Sequence, residues 1–210
     1  MYILLFDSPW IQEEFWTNPD IAIRKAYEKT DEAILSHRPE LGRGGSTAVT
    51  AILINGRKLW IANIGDSRAV LAKGQQVLQL TVDHDPSTER RSIENRGGFI
   101  SYEPSFFVSF VSGDVPRVNG QLAVSRAFGD KDLKRHLRSD PDVRCVDVTA
   151  DADLLILASD GMWEVMSNEE AIEIARKAKD PQAAARQLTT EALERYSTDD
   201  VSCVVIQLQA

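Results

Sequence analysis

Cysteine is scarce in this 210-residue sequence. Only Cys145 and Cys203 occur, and they lie far apart without forming a Cys-x-x-Cys pair. Their positions exclude a disulfide framework and make a reducing compartment the simplest setting. Long hydrophobic runs are also lacking, because the apolar residues 1–6 have no basic flank and are too short for a signal peptide or a membrane-spanning helix. We therefore expect a protein of the cytoplasm or nucleus.

An excess of positive charge is absent as well. The sequence has 24 Lys and Arg against 32 Asp and Glu, which gives a net charge of −8. Such a chain repels phosphate backbones and anionic lipids, and it gains nothing from counterion release. We expect neither nucleic acid nor membrane surfaces among its partners. The surplus carboxylates are compatible with divalent cations, but solubility explains a charge of this size equally well.

Internal repeats and low-complexity linkers are lacking, while 43% of the residues are hydrophobic. We therefore expect one packed domain over residues 1–210. Periodicity and start and stop signals predict helices at 18–36, 87–95, 168–177 and 181–195. Alternating apolar patterns predict strands at 47–54, 58–64, 68–72, 76–80, 143–148, 153–158 and 202–208.

Short turns separate the first four predicted strands. Asn55-Gly56, Gly65-Asp66 and Lys73-Gly74 are hairpin signals, so an antiparallel meander is expected, with Asp66 at a hairpin tip. A long irregular stretch is expected from residue 98 to about residue 121. Helices that flank antiparallel strands indicate a layered α+β domain.

Carboxylates follow or adjoin three of the predicted strands. Asp66 follows the second strand, Asp160 follows 153–158 with Glu164 one helical turn later, and Asp199 with Asp200 precedes the last strand. A carboxylate at a strand end has a rigid base, which suits a hard divalent cation. Each residue taken alone also fits turn or cap chemistry, and Glu164 fits a first-turn acid. Spacing alone leaves both readings open.

Six ordered motifs carry a resemblance to a known family. They are GGSTA at 44–48, ANIGDSRA at 62–69, DHDP at 83–86, RVNGQLAVSRAFGD at 117–130, LASDGMWE at 157–164 and DDVSC at 199–203. In this order they resemble the metal-dependent protein phosphatases, the type 2C serine/threonine phosphatases. The similarity runs from about residue 15 to residue 208, and the sequences of these motifs are most similar to those of plant members.

The resemblance implies a fold, a reaction and a set of site residues. The fold is an α-β-β-α sandwich of antiparallel sheets flanked by helices, and the substrates are phosphoproteins. Asp160 and Asp199 are similar to the catalytic ligands of a two-metal Mg²⁺ or Mn²⁺ centre that hydrolyses phosphoserine and phosphothreonine with a metal-activated water. Asp66, Asp160 and Glu164 resemble an outer metal site, although the family commonly has aspartate at the last position.

Part of the family pattern is missing. Members normally carry an acidic patch with a phosphate-binding arginine and an Asp-Gly-His-Gly-type motif, whereas the one Asp-Gly pair here is Asp160-Gly161. We expect a domain that lacks its N-terminal catalytic segment and has impaired activity, unless Asp7 replaces the missing ligand. The alternatives are a catalytically dead regulator that binds phosphoproteins or kinases, and an unstable fragment.

A second departure from the family lies between residues 98 and 113. The loop is longer than in similar members because the apolar stretch 104–111 intervenes. This stretch is compatible with an extra strand or with an exposed apolar patch for a substrate or partner. An altered transcript or a gene-model artefact explains it equally well.

Overall fold

The computed structural model of the protein describes residues 12–37, 44–103 and 115–208. Asp7 and the stretch 104–111 lie outside the described residues, so their predicted roles stay predictions. The helices of the described residues are α1 (Gln12–Thr17), α2 (Pro19–His37), α3 (Arg90–Asn95), α4 (Asp160–Trp163), α5 (Asn168–Lys177) and α6 (Pro181–Glu194). In this part of the chain, no helix combines the length and the apolar character needed to cross a membrane.

The strands pair in antiparallel fashion in two larger sheets and two short ribbons. Sheet I has the order β2-β3-β9, sheet II has the order β11-β10-β4-β5, and the ribbons are β1-β8 and β6-β7. The strands are β1 (Gly45–Ser46), β2 (Ala48–Ile54), β3 (Lys58–Ile64), β4 (Arg68–Lys73), β5 (Gln76–Gln79), β6 (Ile100–Glu103), β7 (Val115–Val118), β8 (Phe128–Gly129), β9 (Asp142–Asp147), β10 (Ala152–Ala158) and β11 (Cys203–Gln207).

Three apolar clusters join four layers. Ile23 and Tyr27 of α2 pack against Ile64 of sheet I, and Leu59 of sheet I packs with Leu155 of sheet II between the two sheets. On the outer side of sheet II, Ile156 packs with residues of α4, α5 and α6. The layer order is therefore helix, sheet I, sheet II and helices, which confirms the α-β-β-α sandwich.

Local signals set the helix ends. The side chain of Asn18 accepts a hydrogen bond from the backbone N–H of Ile21 at 3.4 Å, where α2 begins. Ser167 and Glu170 form a capping box at the start of α5, and Asp180 caps α6 with Pro181 as its first residue. These contacts satisfy backbone donors that have no partner inside the helix. These three of the four predicted helices are found with their ends shifted by at most one residue. The fourth, predicted over 87–95, begins three residues later at Arg90.

The predicted meander is wrong at its second turn. β3 pairs with β2 and β9, while β4 pairs with β5 and β10, so the Gly65-Asp66 turn crosses from sheet I to sheet II. Gly65 has a φ of 85°, and a Cβ on it would lie 2.2 Å from Cγ2 of Thr47. The crossover therefore requires glycine, and Asp66 lies at a junction between the sheets, not at a hairpin tip.

The stretch predicted to be irregular contains a strand pair. β6 pairs with β7 in the register Ile100 to Val118 and Glu103 to Val115. Val118 packs in a satellite cluster with Ile93, Leu133 and Leu137, away from the main core. The pair gives little signal in the sequence, because both strands have only four residues and the second contains a proline, at position 116.

Candidate metal centre

The ends of β10 and β11 bring two acidic loops together. The last pair of the two strands is Ala158 with Cys203, so the residues after β10 face those before β11. The hydroxyl of Ser159 donates to the backbone oxygen of Asp200 at 2.9 Å. A Cβ on Gly161 would lie 2.8 Å from that same oxygen and 3.3 Å from the backbone carbon of Asp199. The loops that carry Asp160 and Asp199 are thus in backbone contact.

Three carboxylates of these loops repel one another. Burial and then the charge of Asp199 raise the pKa of Asp160, and burial followed by Asp160 and Asp199 raises the pKa of Glu164. Asp160 begins α4, and its Oδ1 accepts a hydrogen bond from the N–H of Gly161 at 2.9 Å. Glu164 follows α4 and is exposed, as is Asp199. The structure therefore brings these three predicted residues to one edge of sheet II.

Asp66 reaches the same edge from the crossover between the sheets. Burial, then the charges of Asp160, Asp83 and Glu164, raise its pKa to about 7. A cavity of about 220 Å³ separates these groups. Its lining residues are Asp66, Arg68, Asp83, His84, Asp85, Ala123, Asp160, Trp163 and Glu164. Asp66, Asp160 and Glu164 thus share one cleft.

The donor set of the cleft fits a hydrated divalent cation. Arg68 is the one Lys or Arg among the described residues that line the cavity, and its guanidinium pairs with Asp83. The repulsion between Asp66, Asp160 and Glu164 therefore has no matching positive charge within the cavity lining. Across the described ranges, no three His, Cys, Asp or Glu side chains gather closely enough to hold one ion. Mg²⁺ commonly takes only one or two carboxylates and keeps several waters, which suits this spread of oxygens.

Sequence reasoning missed a polar ring in the wall of the cavity. Arg68 pairs with Asp83 and donates to Asn168, and Asn168 donates to Gln79, which donates to Asp83. Arg68 and Asp83 stand in the motifs at 62–69 and 83–86, so the signal for them was present in the sequence. The contact between them depends on tertiary structure, which the motifs do not reveal.

Two other polar groups near the cleft have structural contacts. Nδ1 of His84 accepts the N–H of Gly65 at 2.9 Å, so Nε2 carries the proton and faces Asp142 at 3.2 Å. Burial and then the charge of Arg126 lower the pKa of His84. Arg126 is buried and pairs with Glu89 and Asp142, so its guanidinium is occupied within the fold.

Trp163, three residues after Asp160, packs on the outer side of sheet II. Its indole N–H donates to the backbone oxygen of Ala158 at 3.1 Å, and its ring belongs to the cluster under sheet II. Cys203 is half-buried against the same cluster, and burial raises the pKa of its thiol to about 12. A thiol with this pKa is a poor nucleophile at neutral pH.

Comparisons with known proteins agree on one family. The model of the family described as protein phosphatase 2C matches residues 10–201. The chain is 62% identical over 205 residues to probable protein phosphatase 2C 41 of Oryza sativa subsp. japonica, covering 98% of this chain and 69% of that protein. It is 63% identical over 205 residues to probable protein phosphatase 2C 9 of Arabidopsis thaliana, covering 98% and 70%.

Solved structures show the same fold. The crystal structure of serine-threonine phosphatase 2C from Toxoplasma gondii superimposes with a TM-score of 0.81 at 29% identity, covering 97% of this chain and 71% of that chain. A sex determining protein of C. elegans gives a TM-score of 0.78 at 29% identity, covering 90% and 47%. These comparisons do not test individual ligands, so the metal-binding roles of Asp160, Asp199, Asp66 and Glu164 stay predictions.

Proposed function

The chain belongs to the protein phosphatase 2C family of protein serine/threonine phosphatases, and on this premise we propose that it hydrolyses phosphoserine and phosphothreonine with a water molecule activated by Mg²⁺ or Mn²⁺. The observation that carries the proposal is the backbone contact between the loops of Asp160 and Asp199. Both carboxylates stand at one edge of sheet II. Asp160 lines the cavity together with Asp66 and Glu164, and Asp199 lies on the adjoining loop.

The residues have distinct roles in this proposal. Asp160 and Asp199 would hold the catalytic cations, and Asp66, Asp160 and Glu164 would bind an outer cation in part through its own water molecules. Bound divalent cations lower the pKa of coordinated water and offset charge on the phosphoryl oxygens. The N–H of Gly161 orients the carboxylate of Asp160, and Ser159 fixes the loop that carries Asp199. With Cys203 half-buried and its thiol pKa raised, the reaction does not use it as a nucleophile.

We propose that the 210-residue chain turns over slowly. It contains no Asp-Gly-His sequence, and the family resemblance assigns to that motif a bridging ligand and a proton donor. Loss of a phosphate clamp or of a proton donor each lowers the rate by about a hundredfold or more. Asp7 or water completes the ligand set in this scheme.

A second candidate function follows from the same missing motif. A phosphatase fold without turnover can act as a regulator that binds phosphoproteins or kinases, and this reading needs no complete metal centre. It predicts association with a partner in the presence of a chelator. Either function suits the cytoplasm or nucleus, which we propose as the location because the two cysteines form no disulfide framework.

Phosphate release from a phosphothreonine peptide with Mn²⁺ tests the first function, with Mn²⁺ binding measured by calorimetry. Asp160→Asn and Asp199→Asn should abolish release and weaken binding. Asp151→Asn is the matched control, because Asp151 is exposed just before the opposite end of β10. Wild-type release no greater than that of Asp160→Asn would reject the enzyme and leave the regulator.

A further inference from the structure

A closed ring of hydrogen bonds holds the carboxylate of Asp83 in the cavity wall. Arg68 donates to it twice, from Nη2 at 2.5 Å and from Nε at 3.3 Å. Nη1 of Arg68 donates to Asn168 at 2.9 Å, the amide of Asn168 donates to Gln79 at 3.0 Å, and the amide of Gln79 donates to Asp83 at 3.4 Å. A two-point contact from a planar guanidinium fixes both the position and the rotation of a carboxylate.

Besides its hydrogen bonds to Asp83 and Asn168, Arg68 contacts an aromatic ring. Its guanidinium carbon lies 5.2 Å from the ring centroid of Trp163, which is close enough for a cation–π contact. The ring of hydrogen bonds joins the start of β4, the end of β5, the segment after β5 and the first residue of α5. It fixes the wall of the cavity with residues that stand up to 100 positions apart along the chain.

Asp83 remains open to the cavity although it is paired. Its side chain is 29% exposed and that of Arg68 is 19% exposed. It lines the same cavity as Asp66 and Asp160. A carboxylate has about four lone-pair positions, and the ring uses three of them. Asp83 thus retains acceptor capacity on the side of the cleft.

A hydrated cation needs such acceptors. Mg²⁺ keeps several of its waters, and each bound water presents protons that require partners. Residues that accept from or orient the ligands of a metal tune its affinity without touching it. On the basis of the proposed function, we propose that Asp83 is a positioning residue of the metal centre, whose Arg68-held carboxylate accepts hydrogen bonds from waters of the cation at Asp66 and Asp160.

Mn²⁺ titration calorimetry of the 210-residue chain tests this role, with the melting temperature of the metal-free protein as a second readout. Asp83→Asn should weaken Mn²⁺ binding by about 10- to 100-fold. Asp85→Asn is the matched control: it removes the same charge from the same cavity, but Asp85 already accepts the N–H of Ser87 at 2.6 Å. Its effect should stay below about threefold, since it removes only a general electrostatic attraction.

A second variant separates positioning from folding. Arg68→Lys keeps a cation beside Asp83 but loses the two-point contact, so it should weaken Mn²⁺ binding in the same direction. The double variant Asp83→Asn with Arg68→Lys should bind no more weakly than Asp83→Asn alone, because the two residues act as a unit. Additive losses would overturn the role of Arg68 in holding Asp83.

The outcomes distinguish this inference from the function on which it rests. No Mn²⁺ binding by the wild-type protein would overturn the metal-dependent function and this inference with it. Binding by wild type and Asp83→Asn with equal affinity would overturn the inference alone, including when Asp83→Asn lowers the melting temperature. Equal weakening by Asp83→Asn and Asp85→Asn would also overturn it, because the effect would then be that of charge alone.

Discussion

The hydroxyl of Ser159 donates a hydrogen bond to the backbone oxygen of Asp200 and accepts one from the N–H of Ser202. One side chain at the end of β10 therefore fixes the loop that leads into β11. Asp199 stands in this loop, so its position relative to Asp160 depends on a contact that carries no charge.

Ser159→Ala should lower the free energy of unfolding by about 1 kcal/mol, because it removes both hydrogen bonds of the hydroxyl. It should also weaken Mn²⁺ binding severalfold, since the loop of Asp199 loses an anchor. Thermal melting and calorimetry measure the two effects. Thr198→Ala, at an exposed position of the same loop, is the control and should change neither. Unchanged binding by Ser159→Ala would contradict the anchoring role.

Asp66→Asn should stabilise the metal-free protein at pH 8 by about 1 kcal/mol or more. The pKa of Asp66 is about 7 in the folded protein against an ordinary value of 3.8. Between these values the folded state binds the proton that the unfolded chain has released, so wild-type stability falls as pH rises from about 4 to 7. At pH 4 the variant and the wild type should differ little.

Thermal melting of the wild type and Asp66→Asn from pH 4 to pH 8, with a chelator present, measures how Asp66 changes the pH dependence of stability. Asp132→Asn, which changes an exposed carboxylate, should leave the profile unchanged. A gain of about 1 kcal/mol corresponds to a melting temperature higher by roughly 2–4 °C in a chain of this length. A stability difference of the opposite sign, with Asp66→Asn less stable than the wild type at pH 8, would refute the prediction.

Arg126→Met should destabilise the protein by about 3 kcal/mol or more. Arg126 is 7% exposed, and its removal leaves the carboxylates of Glu89 and Asp142 without their main buried partner. Urea unfolding followed by circular dichroism measures the loss. Arg91→Met changes an exposed arginine of α3 and should cost less than about 0.5 kcal/mol. Equal stability of the two variants would show that the ion pairs of Arg126 contribute little.

Tyr27→Phe should cost about 1–2 kcal/mol. The hydroxyl of Tyr27 contacts that of Thr50 at 2.8 Å and donates to the backbone oxygen of Ala62 at 3.1 Å. These buried groups lose their partner in the variant, and α2 is held less firmly on sheet I. Tyr196→Phe is the control because Tyr196 is 88% exposed. Similar melting temperatures of the two variants would argue against this contact as an anchor of α2.

The sequence predicted the elements whose signals are local. α2, α5 and α6 were predicted nearly to their ends, because Asn18, the pair Ser167 and Glu170, and Asp180 mark the helix starts through contacts within four residues. The strands of the two larger sheets were found for a similar reason, since apolar alternation is a local property. The strands of the two short ribbons were not predicted. The family resemblance then supplied the order of the layers.

Strand partners were harder to predict from the sequence, because pairing joins residues that are distant along the chain. β3 and β4 are both apolar and lie four residues apart, which is typical of a hairpin, yet they belong to different sheets. Nothing in their periodicity separates two strands that pair with each other from two that pack face to face. The local structure predicted for Asp66, a hairpin tip, was therefore wrong, although Asp66 does share a cavity with Asp160 and Glu164.

In the candidate site, too, some features could be predicted from the sequence and others depend on tertiary structure. The convergence of Asp160 and Asp199 was expected from strand ends and ordered motifs. The ring of Arg68 and Asp83 was not, because Asn168 stands 100 residues from Arg68 along the chain. Contacts of this kind become visible only when the sheets and α5 have been placed in space.

Gly161 has a consequence for the speed of cation uptake. Main-chain atoms of residues 199 and 200 already touch the place where its side chain would be. Neither ionic strength nor protonation alters such a contact, so the two loops already lie together before an ion arrives, and little ordering entropy should oppose binding. The rate of association should then follow water exchange on the ion, and Mn²⁺, which releases water faster than Mg²⁺, should enter sooner.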